Sequence, residues 1–174
     1  MKSFAFQIET INGGEPSKKL EELGYSYDVW RPSLTNIIPK PFPKKYLLYW
    51  VFHFFGIFKN KDYAAVRVFD KKVIAFYMMV APKYFKWQFM GKNDVQFIYG
   101  FTSKKHRRLG IAKLAMEGAI KEFQKPKRKI WGVIKRDNAP SINWVQKLGF
   151  VRAGEIERKY FLGLKPLRVL SIKK

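Results

Sequence analysis

One stretch of the chain, residues 94–119, restricts the fold more than any other because it joins a strand pattern to a helix pattern through a polar turn. Residues 94–102 are rich in Val, Phe, Ile, Tyr and Thr, which predicts a buried strand. From Leu109 onward, apolar side chains recur on one side, which predicts a helix. The sequence therefore predicts a strand that passes through the basic turn 103–108 into a helix.

The turn before this helix has the features of an anion-binding site. The first backbone N–H groups of a helix have no partner within it, and the helix dipole adds partial positive charge there. Gly110 lets the backbone approach a ligand closely. Four cations precede it: Lys104, Lys105, Arg107 and Arg108. Together these features suit a phosphate or pyrophosphate group.

Composition indicates the partners and excludes some chemistry. The formal net charge is +22, from 35 Lys and Arg against 13 Asp and Glu. Such a charge favours an anionic partner such as a nucleotide, RNA or an acidic lipid surface, although it also keeps a protein soluble. The chain has no cysteine and two histidines. A disulfide, a thiolate nucleophile and a cysteine metal site are thus excluded, and we expect no metal.

The sequence also indicates the compartment and the number of domains. The first ten residues carry an acid and no long apolar run, unlike a signal peptide, and the absence of cysteine is compatible with a reducing cytoplasm. We therefore expect a cytoplasmic protein. The length suits one domain, and no internal repeat or interior linker interrupts it. We predict a single domain over residues 1–174.

The remaining secondary structure follows from periodicity and turn residues. Residues 25–42 contain three prolines and are predicted to form an irregular loop. Strands are predicted at residues 4–11, 63–69, 72–80, 129–134, 151–156 and 159–169. Helices are predicted at residues 18–23, after the start signal Pro16-Ser17, and at residues 109–123. A third helix is predicted from an N-cap at Asp137 or Asn138 to Gly149.

Residues 46–58 form an aromatic and apolar segment between Lys44–Lys45 and Lys59 and Lys61. The segment is too short to cross a bilayer as a helix, which takes about 20 residues. We expect a helix buried in the core. A helix that lies on an acidic membrane surface, or under a partner, is the alternative. His53 is expected to be a packed residue rather than a catalytic one.

Two motifs resemble those of the GNAT acetyltransferase superfamily. Arg107-x-x-Gly110-x-Ala112 resembles its cofactor signature, Q/R-x-x-G-x-G/A. About thirty residues later, Asn138-x-x-Ser141, followed by KLGF at 147–150, resembles its motif N-x-x-[AS]-x-x-x-Y-x-K-x-G-F. The resemblance implies an α/β (α+β) fold, with a mostly antiparallel mixed sheet of six to seven strands flanked by about four helices.

The resemblance also implies an activity and a donor. A GNAT protein is an acyltransferase that passes an acetyl group from acetyl-CoA directly to a primary amine, with no covalent enzyme intermediate. The backbone N–H groups of residues 108–112 would hold the pyrophosphate of the CoA thioester. The implied cofactor-binding residues are Phe101, Thr102, Arg107, Arg108, Leu109, Gly110, Ile111, Ala112, Asn138 and Ser141.

The base for the acceptor amine is less well defined. Many family members carry a carboxylate on the central strand, where the nearest matching residue here is Gln96. Asp94 lies two residues earlier, on the same face of the strand, and is our candidate base. Glu155 and Glu157, near the last strands, are the alternatives.

The residue at the position of the family's usual acid, which would protonate the leaving thiolate, departs from the motif. The Tyr of the second motif is Val145 here. Tyr160 and Tyr99 are alternative acids. Otherwise solvent protonates the thiolate, or the chain is not an efficient acetyltransferase.

The sequence does not determine which amine accepts the acetyl group. We favour an amino sugar carried on a nucleotide or lipid in cell-envelope synthesis, close to the inner face of an anionic membrane. A protein amine, including that of a ribosomal protein, is the rival acceptor. A non-catalytic module that binds RNA or a membrane is the rival class, although no recognisable RNA-binding motif is present. The acyl chain and the oligomeric state stay open, and a dimer is compatible with the sequence.

Overall fold

The computed structural model describes residues 2–9, 15–37, 47–56, 62–82 and 89–157, and every structural statement below concerns these residues. They form seven strands and four helices. In chain order these are β1 (Lys2–Ile8), α1 (Pro16–Glu22), β2 (Tyr25–Trp30), α2 (Leu47–Phe54), β3 (Ala64–Asp70), β4 (Val73–Pro82), β5 (Val95–Thr102), α3 (Ile111–Phe123), β6 (Ile130–Lys135), α4 (Ala139–Lys147) and β7 (Val151–Glu157).

All seven strands belong to one sheet, in the order β2-β3-β4-β5-β6-β1-β7. Every neighbouring pair is antiparallel except β5 and β6, which are parallel. The first strand of the chain thus lies between β6 and β7, near the end of the described chain. This mixed, mostly antiparallel sheet with four helices confirms the fold class expected from the resemblance.

The parallel pair β5–β6 is the feature of the sheet that positions the site. The two strands pair only from Val95–Phe97 to Ile130–Gly132. Beyond Phe97, β5 continues beside β4 to Thr102, while β6 continues beside β1 to Lys135. The two strands therefore diverge and leave an opening in the middle of the sheet.

The core lies on both faces of the sheet. On one face, α1, α3 and α4 contribute side chains such as Leu20, Ile120 and Val145 to a cluster with Phe6 and Val66. Full burial of a side chain of this size contributes about 1.5–3 kcal/mol to stability. On the other face, a smaller cluster of Trp30, Tyr63, Ala65 and Met79 packs against Phe52 of α2. Side chains therefore cover the sheet on both faces, and this packing holds β5 and β6 apart at the opening.

Two predictions from the sequence need correction. The loop predicted at residues 25–42 is wrong at its start, because Tyr25–Trp30 pairs with β3 along its whole length. The prediction of a buried helix in 46–58 is wrong for one face of α2, where Leu47 and Phe54 are 44% and 47% exposed, and for Phe55 directly after the helix, which is 76% exposed. Within the described chain, no helix is both long and apolar enough to cross a membrane. The strand predicted at 159–169 lies outside the described residues.

Candidate functional site

The basic turn after β5 leaves the start of α3 open. Arg108 and Gly110 both have left-handed backbone angles, with φ of 65° and 76°. Left-handed residues in such a turn direct successive N–H groups to one side, as in an anion-binding nest. Gly110 is the N-cap of α3, and no side chain caps the helix there. The unpaired N–H groups of the first turn are therefore available to a ligand.

A cavity of about 720 Å³ lies against this turn. Nine of the ten predicted cofactor residues line it, and the tenth, Leu109, lies in the turn but not on the cavity wall. Gly100, His106 and Trp144 complete much of the remaining wall. The structure thus brings together residues from β5, the turn, α3 and the start of α4, as the two motifs predicted.

A second cavity, of about 520 Å³, occupies the opening between β5 and β6. It shares four wall residues with the first: Gly100, Asn138, Ser141 and Trp144. Most of its other wall residues are apolar, including Met78, Phe97, Met116, Val145 and Phe150. The two cavities therefore form one cleft, which runs from the open start of α3 into the middle of the sheet.

A β-bulge in β5 lies where the two cavities meet. Tyr77 pairs with Phe101 and Met79 pairs with Ile98, so Tyr99 and Gly100 together face a single residue of β4. Tyr99 has a φ of 57°, which costs a non-glycine residue on the order of 1–3 kcal/mol. Bulges of this kind are common next to active sites, where they re-aim a side chain or end the pairing of a strand. The bulge therefore changes the direction of β5 where this strand lines the cleft.

The start of α4 forms the opposite wall. Asn138 is its N-cap, and the side-chain oxygen of Asn138 accepts a hydrogen bond from the Ser141 backbone N–H at 3.3 Å. Pro140 lies in the first turn of the helix, where its missing N–H costs nothing. This cap fixes two residues, Asn138 and Ser141, that lie on the walls of both cavities.

The charge of the cleft is entirely positive. No Asp or Glu is among the described residues that line either cavity. Arg107, Arg108 and Lys113 line the first cavity, and Lys135 lines the second. Such a wall attracts anions and repels cations.

The predicted base Asp94 does not lie on the cleft. It is only 5% exposed, and its carboxylate accepts hydrogen bonds from the N–H of Gly91 (2.7 Å), the N–H of Lys129 (3.0 Å) and the indole of Trp131 (2.8 Å). A carboxylate held by three donors joins β5 to β6 and is not available to a substrate amine. Asp94 is therefore a structural residue, and its assignment as base needs correction.

Of the other predicted catalytic residues, some line the cleft and some do not. Gln96 lines the second cavity, but a neutral amide does not take up a proton. Glu155 pairs with Arg152 at 2.6 Å and lies on neither cavity wall. Tyr160 and the side chain of Glu157 lie outside the described residues.

Val145, at the position of the family's tyrosine, and Tyr99, one of the two alternative acids, both line the second cavity. Val145 is buried there and has no ionisable group, whereas Tyr99 at the bulge is exposed. Among the described residues, no three His, Asp or Glu side chains are grouped to hold a metal ion.

Sequence reasoning missed His106, which lines the first cavity and is 3% exposed. Its Nδ1 lies 2.5 Å from the hydroxyl of Ser103, and its Nε2 lies 3.0 Å from the carboxylate of Asp70. The hydrogen bond from His106 lowers the pKa of Asp70, with help from the charge of Lys105. The signal available in the sequence was the position of His106 directly before Arg107 of the turn motif.

The family comparison agrees with this geometry. A model of the acetyltransferase (GNAT) family matches residues 31–150, which include both motifs and the whole cleft. A search of curated proteins finds no match.

Solved structures share the fold at low sequence identity. A GCN5-related glucosamine N-acetyltransferase region of a fungal multi-domain GH3 beta-N-acetylglucosaminidase is 8% identical, with a TM-score of 0.56 over 89% of this chain and 20% of that one. A Drosophila protein is 10% identical, with a TM-score of 0.53 over 88% of this chain and 48% of that one. The aminoglycoside N-acetyltransferase AAC(6')-Iy, bound to a CoA bisubstrate analogue, is 16% identical, with a TM-score of 0.51 over 78% of this chain and 95% of that one. The chain therefore spans about a fifth of the fungal protein and about half of the Drosophila one.

Proposed function

Since this chain belongs to the acetyltransferase (GNAT) family, we propose that it transfers an acetyl group from acetyl-CoA to a primary amine. The observation that carries this proposal is the uncapped start of α3 on the wall of a basic cleft. Its free N–H donors, its dipole and its cations fit a pyrophosphate. The cavity there continues into the sheet opening, which gives room for the extended arm of the coenzyme.

Three groups of residues would hold the donor. The backbone N–H groups of residues 108–112 would bind the pyrophosphate. The β5 backbone near Phe101 and Thr102, which lacks a strand partner on the β6 side, would pair with the amides of the pantetheine arm. Asn138 and Ser141 would close the cleft from α4. This arrangement brings the thioester to the bulge at Tyr99 and Gly100.

The reaction is a direct acyl transfer. The amine nitrogen of the acceptor attacks the thioester carbonyl, a carbon–nitrogen bond forms and the carbon–sulfur bond breaks. The nitrogen loses one proton and the thiolate gains one. Backbone N–H groups that line the cleft would stabilise the negative charge that develops on the carbonyl oxygen.

The cleft restricts how these protons move. No carboxylate lines it among the described residues, so we propose that water carries the proton away from the amine. Gln96 would position the amine or that water. Tyr99 is the proton donor we favour for the thiolate, since Val145 replaces the usual tyrosine.

We propose that the acceptor is an amino sugar that carries phosphate, on a nucleotide or lipid carrier. A polycationic acceptor would be repelled by a cleft without carboxylates in a chain of net charge +22, whereas an anionic acceptor would be attracted. Tyr77 and Phe101 stack beside the cleft with ring centroids 5.1 Å apart, and such aromatic surfaces suit a sugar ring. The glucosamine and aminoglycoside enzymes above have the same fold, which is therefore compatible with amino-sugar acceptors.

The first experiment tests the donor. We expect CoA to bind the full chain in calorimetry, and acetyl-CoA to support transfer to an amine. An absence of binding at millimolar CoA would remove the proposed function. Salt-sensitive RNA binding without transfer would instead support the non-catalytic module.

The second experiment tests the acceptor. Transfer from acetyl-CoA is measured with a UDP-amino sugar, the same amino sugar without phosphate, an aminoglycoside and basic peptides. We expect kcat/KM to be highest for the phosphorylated amino sugar and to fall with added salt. Turnover of peptides alone would favour the rival, a protein acetyltransferase.

We also propose that α2 contacts the anionic inner face of a membrane from the cytoplasm. Leu47 and Phe54, which are two turns apart on one side of the helix, are exposed, while Phe52 packs on the sheet. Trp50 stacks on Phe54 at 4.8 Å. In the sequence, lysines lie on both sides of this helix, and basic residues next to an apolar face attract acidic lipids.

Liposome flotation tests this contact. Wild type should float with vesicles that contain anionic phospholipid, and Leu47→Glu with Phe54→Glu should abolish flotation. A matched control is Val73→Glu with Val151→Glu, which changes the charge equally at two other exposed apolar residues and should float normally. If both double variants lose flotation equally, charge alone accounts for it and α2 is not the contact surface.

A further inference from the structure

The turn that forms the start of the cleft is tied to a distant part of the chain by a buried histidine. His106 ends a short 3₁₀ turn, Lys104–His106, directly before Arg107. Its ring contacts Ser103 on one side and Asp70 on the other, and Asp70 is 36 residues away in the chain. Asp70 is the last residue of β3 and begins the β3–β4 hairpin. The ring therefore joins this hairpin to the cofactor turn.

The hydrogen-bond roles in this cluster follow from its chemistry. An ionised carboxylate only accepts hydrogen bonds, so Nε2 of His106 donates to Asp70. In the neutral ring, Nδ1 then accepts from the hydroxyl of Ser103. Both ring nitrogens are thus occupied, and neither faces the cleft as a base. His106 is therefore not a catalytic residue.

Other contacts hold the same unit in place. The Ser103 N–H donates to the carbonyl of Ala75 in β4 at 2.9 Å, and the His106 N–H donates to the carbonyl of Ser103 at 3.0 Å. The His106 ring packs edge-to-face with Tyr25 of β2, with centroids 5.9 Å apart. The turn is therefore anchored to three strands besides its own, while the four residues after His106 lead directly to the start of α3.

We propose that His106, held by Ser103 and Asp70, is the positioning residue that aims the turn at the diphosphate of the donor. This proposal rests on the proposed function, because it concerns the same cleft. Arg108 and Gly110 are exposed and have left-handed backbone angles, and the space beside Gly110, where a Cβ would lie, is open. The buried ring beside them supplies the fixed point from which their N–H groups are directed.

The experiment separates the diphosphate from the rest of the donor. CoA carries the diphosphate within its phosphorylated ADP part and pantetheine lacks that whole part, so calorimetry with both ligands separates binding at the turn from binding of the pantetheine arm. His106→Phe keeps a ring against Tyr25 but leaves Ser103 and Asp70 without their partner. We expect it to weaken CoA binding about tenfold or more, as the loss of two buried hydrogen bonds implies, and to leave pantetheine binding unchanged.

Two further variants keep the test decisive if His106→Phe does not fold. Ser103→Ala and Asp70→Asn each alter one side of the ring, and we expect both to weaken CoA binding less than His106→Phe does. Asp28→Asn is the matched control for the charge change, because Asp28 pairs with Arg67 on β3 and lies on neither cavity wall. It should bind CoA as wild type does.

The possible results distinguish the positioning role of His106 from the proposed function. A CoA affinity within twofold of wild type in all three variants overturns the positioning role but leaves the proposed function intact. An equal loss for CoA and pantetheine also overturns it, because a general loss of structure affects both ligands. Failure of wild type itself to bind CoA removes the proposed function instead.

Discussion

At the scale of single residues, two positions that the resemblance would assign to proton transfer carry other residues here. Gln96 lies where the resemblance implies a carboxylate on β5, and Val145 lies where it implies the tyrosine of the second motif. Both line the second cavity, so their positions are retained while their chemistry is changed. Such a site should work more slowly than one with a dedicated acid and base, because positioned acid–base groups typically contribute about 10²–10⁴-fold.

We predict that Val145→Tyr increases kcat by about tenfold or more, provided the enzyme is folded, by supplying a phenol to the leaving thiolate. The added ring has the second cavity next to it, although overpacking costs about 1–3 kcal/mol of stability. Val145→Phe adds the ring without the hydroxyl and should give no increase. Steady-state kinetics at saturating acetyl-CoA compares the two, and equal rates would contradict a role for proton donation.

We predict that Asp94→Asn lowers the free energy of unfolding by about 1–3 kcal/mol and leaves kcat unchanged. Three N–H groups now donate hydrogen bonds to the Asp94 carboxylate. In the variant, the amide NH₂ group is itself a donor, so at least one of these hydrogen bonds would be lost. Urea unfolding measures the first effect and the transfer assay the second. A large fall in kcat at unchanged stability would restore Asp94 as the base.

At the scale of elements, the turn and α3 depend on backbone conformation more than on side chains. Gly110 has a φ of 76°, and an added Cβ would meet no atom within 4 Å. Gly24, which follows α1, has a φ of 80° and equally open surroundings. The two glycines therefore differ in location and not in strain.

We predict that Gly110→Ala and Gly24→Ala each destabilise the protein by about 1–2 kcal/mol, since both force alanine into the left-handed region. Only Gly110→Ala should also weaken CoA binding, because only that backbone faces the cleft. Urea unfolding and CoA titration of the two variants test this together. If Gly24→Ala weakens CoA binding equally, the turn does not hold the diphosphate.

At the scale of the whole molecule, one sheet unites all the described strands. The sheet joins β1 from the start of the chain to β6 and β7 from its later part. Trp30 lies in the cluster beside α2, whereas Trp131 lies in a separate cluster beside β1 and β7. These tryptophans report on opposite ends of the sheet.

We predict that the chain unfolds as one cooperative unit, in agreement with the single domain expected from its length. Tryptophan fluorescence and far-UV circular dichroism should give coincident urea transitions. Trp30→Phe and Trp131→Phe each remove one reporter and are expected to lower the midpoint, because both side chains are buried. Within each variant, the fluorescence and circular dichroism transitions should still coincide. Two separate transitions would contradict the single domain.

The sequence by itself determined the parts of the protein that depend on neighbouring residues. The strand, turn and helix from β5 to α3 were predicted, as was an N-cap of α4 at Asp137 or Asn138. The family resemblance carried by the two motifs implied nine of the residues around the first cavity. Caps, turns and amphipathic periods are set by residues within a few positions of each other, so they can be read locally.

Only the tertiary structure decided what depends on residues far apart in the chain. Asp94 is a strand-joining carboxylate because Trp131 and Lys129 meet it, and His106 is an anchor because Asp70 reaches it from another strand. The exposed face of α2 likewise depends on which side packs on the sheet. A local pattern does not specify these partners, since pairing across a sheet follows from its topology and not from sequence distance.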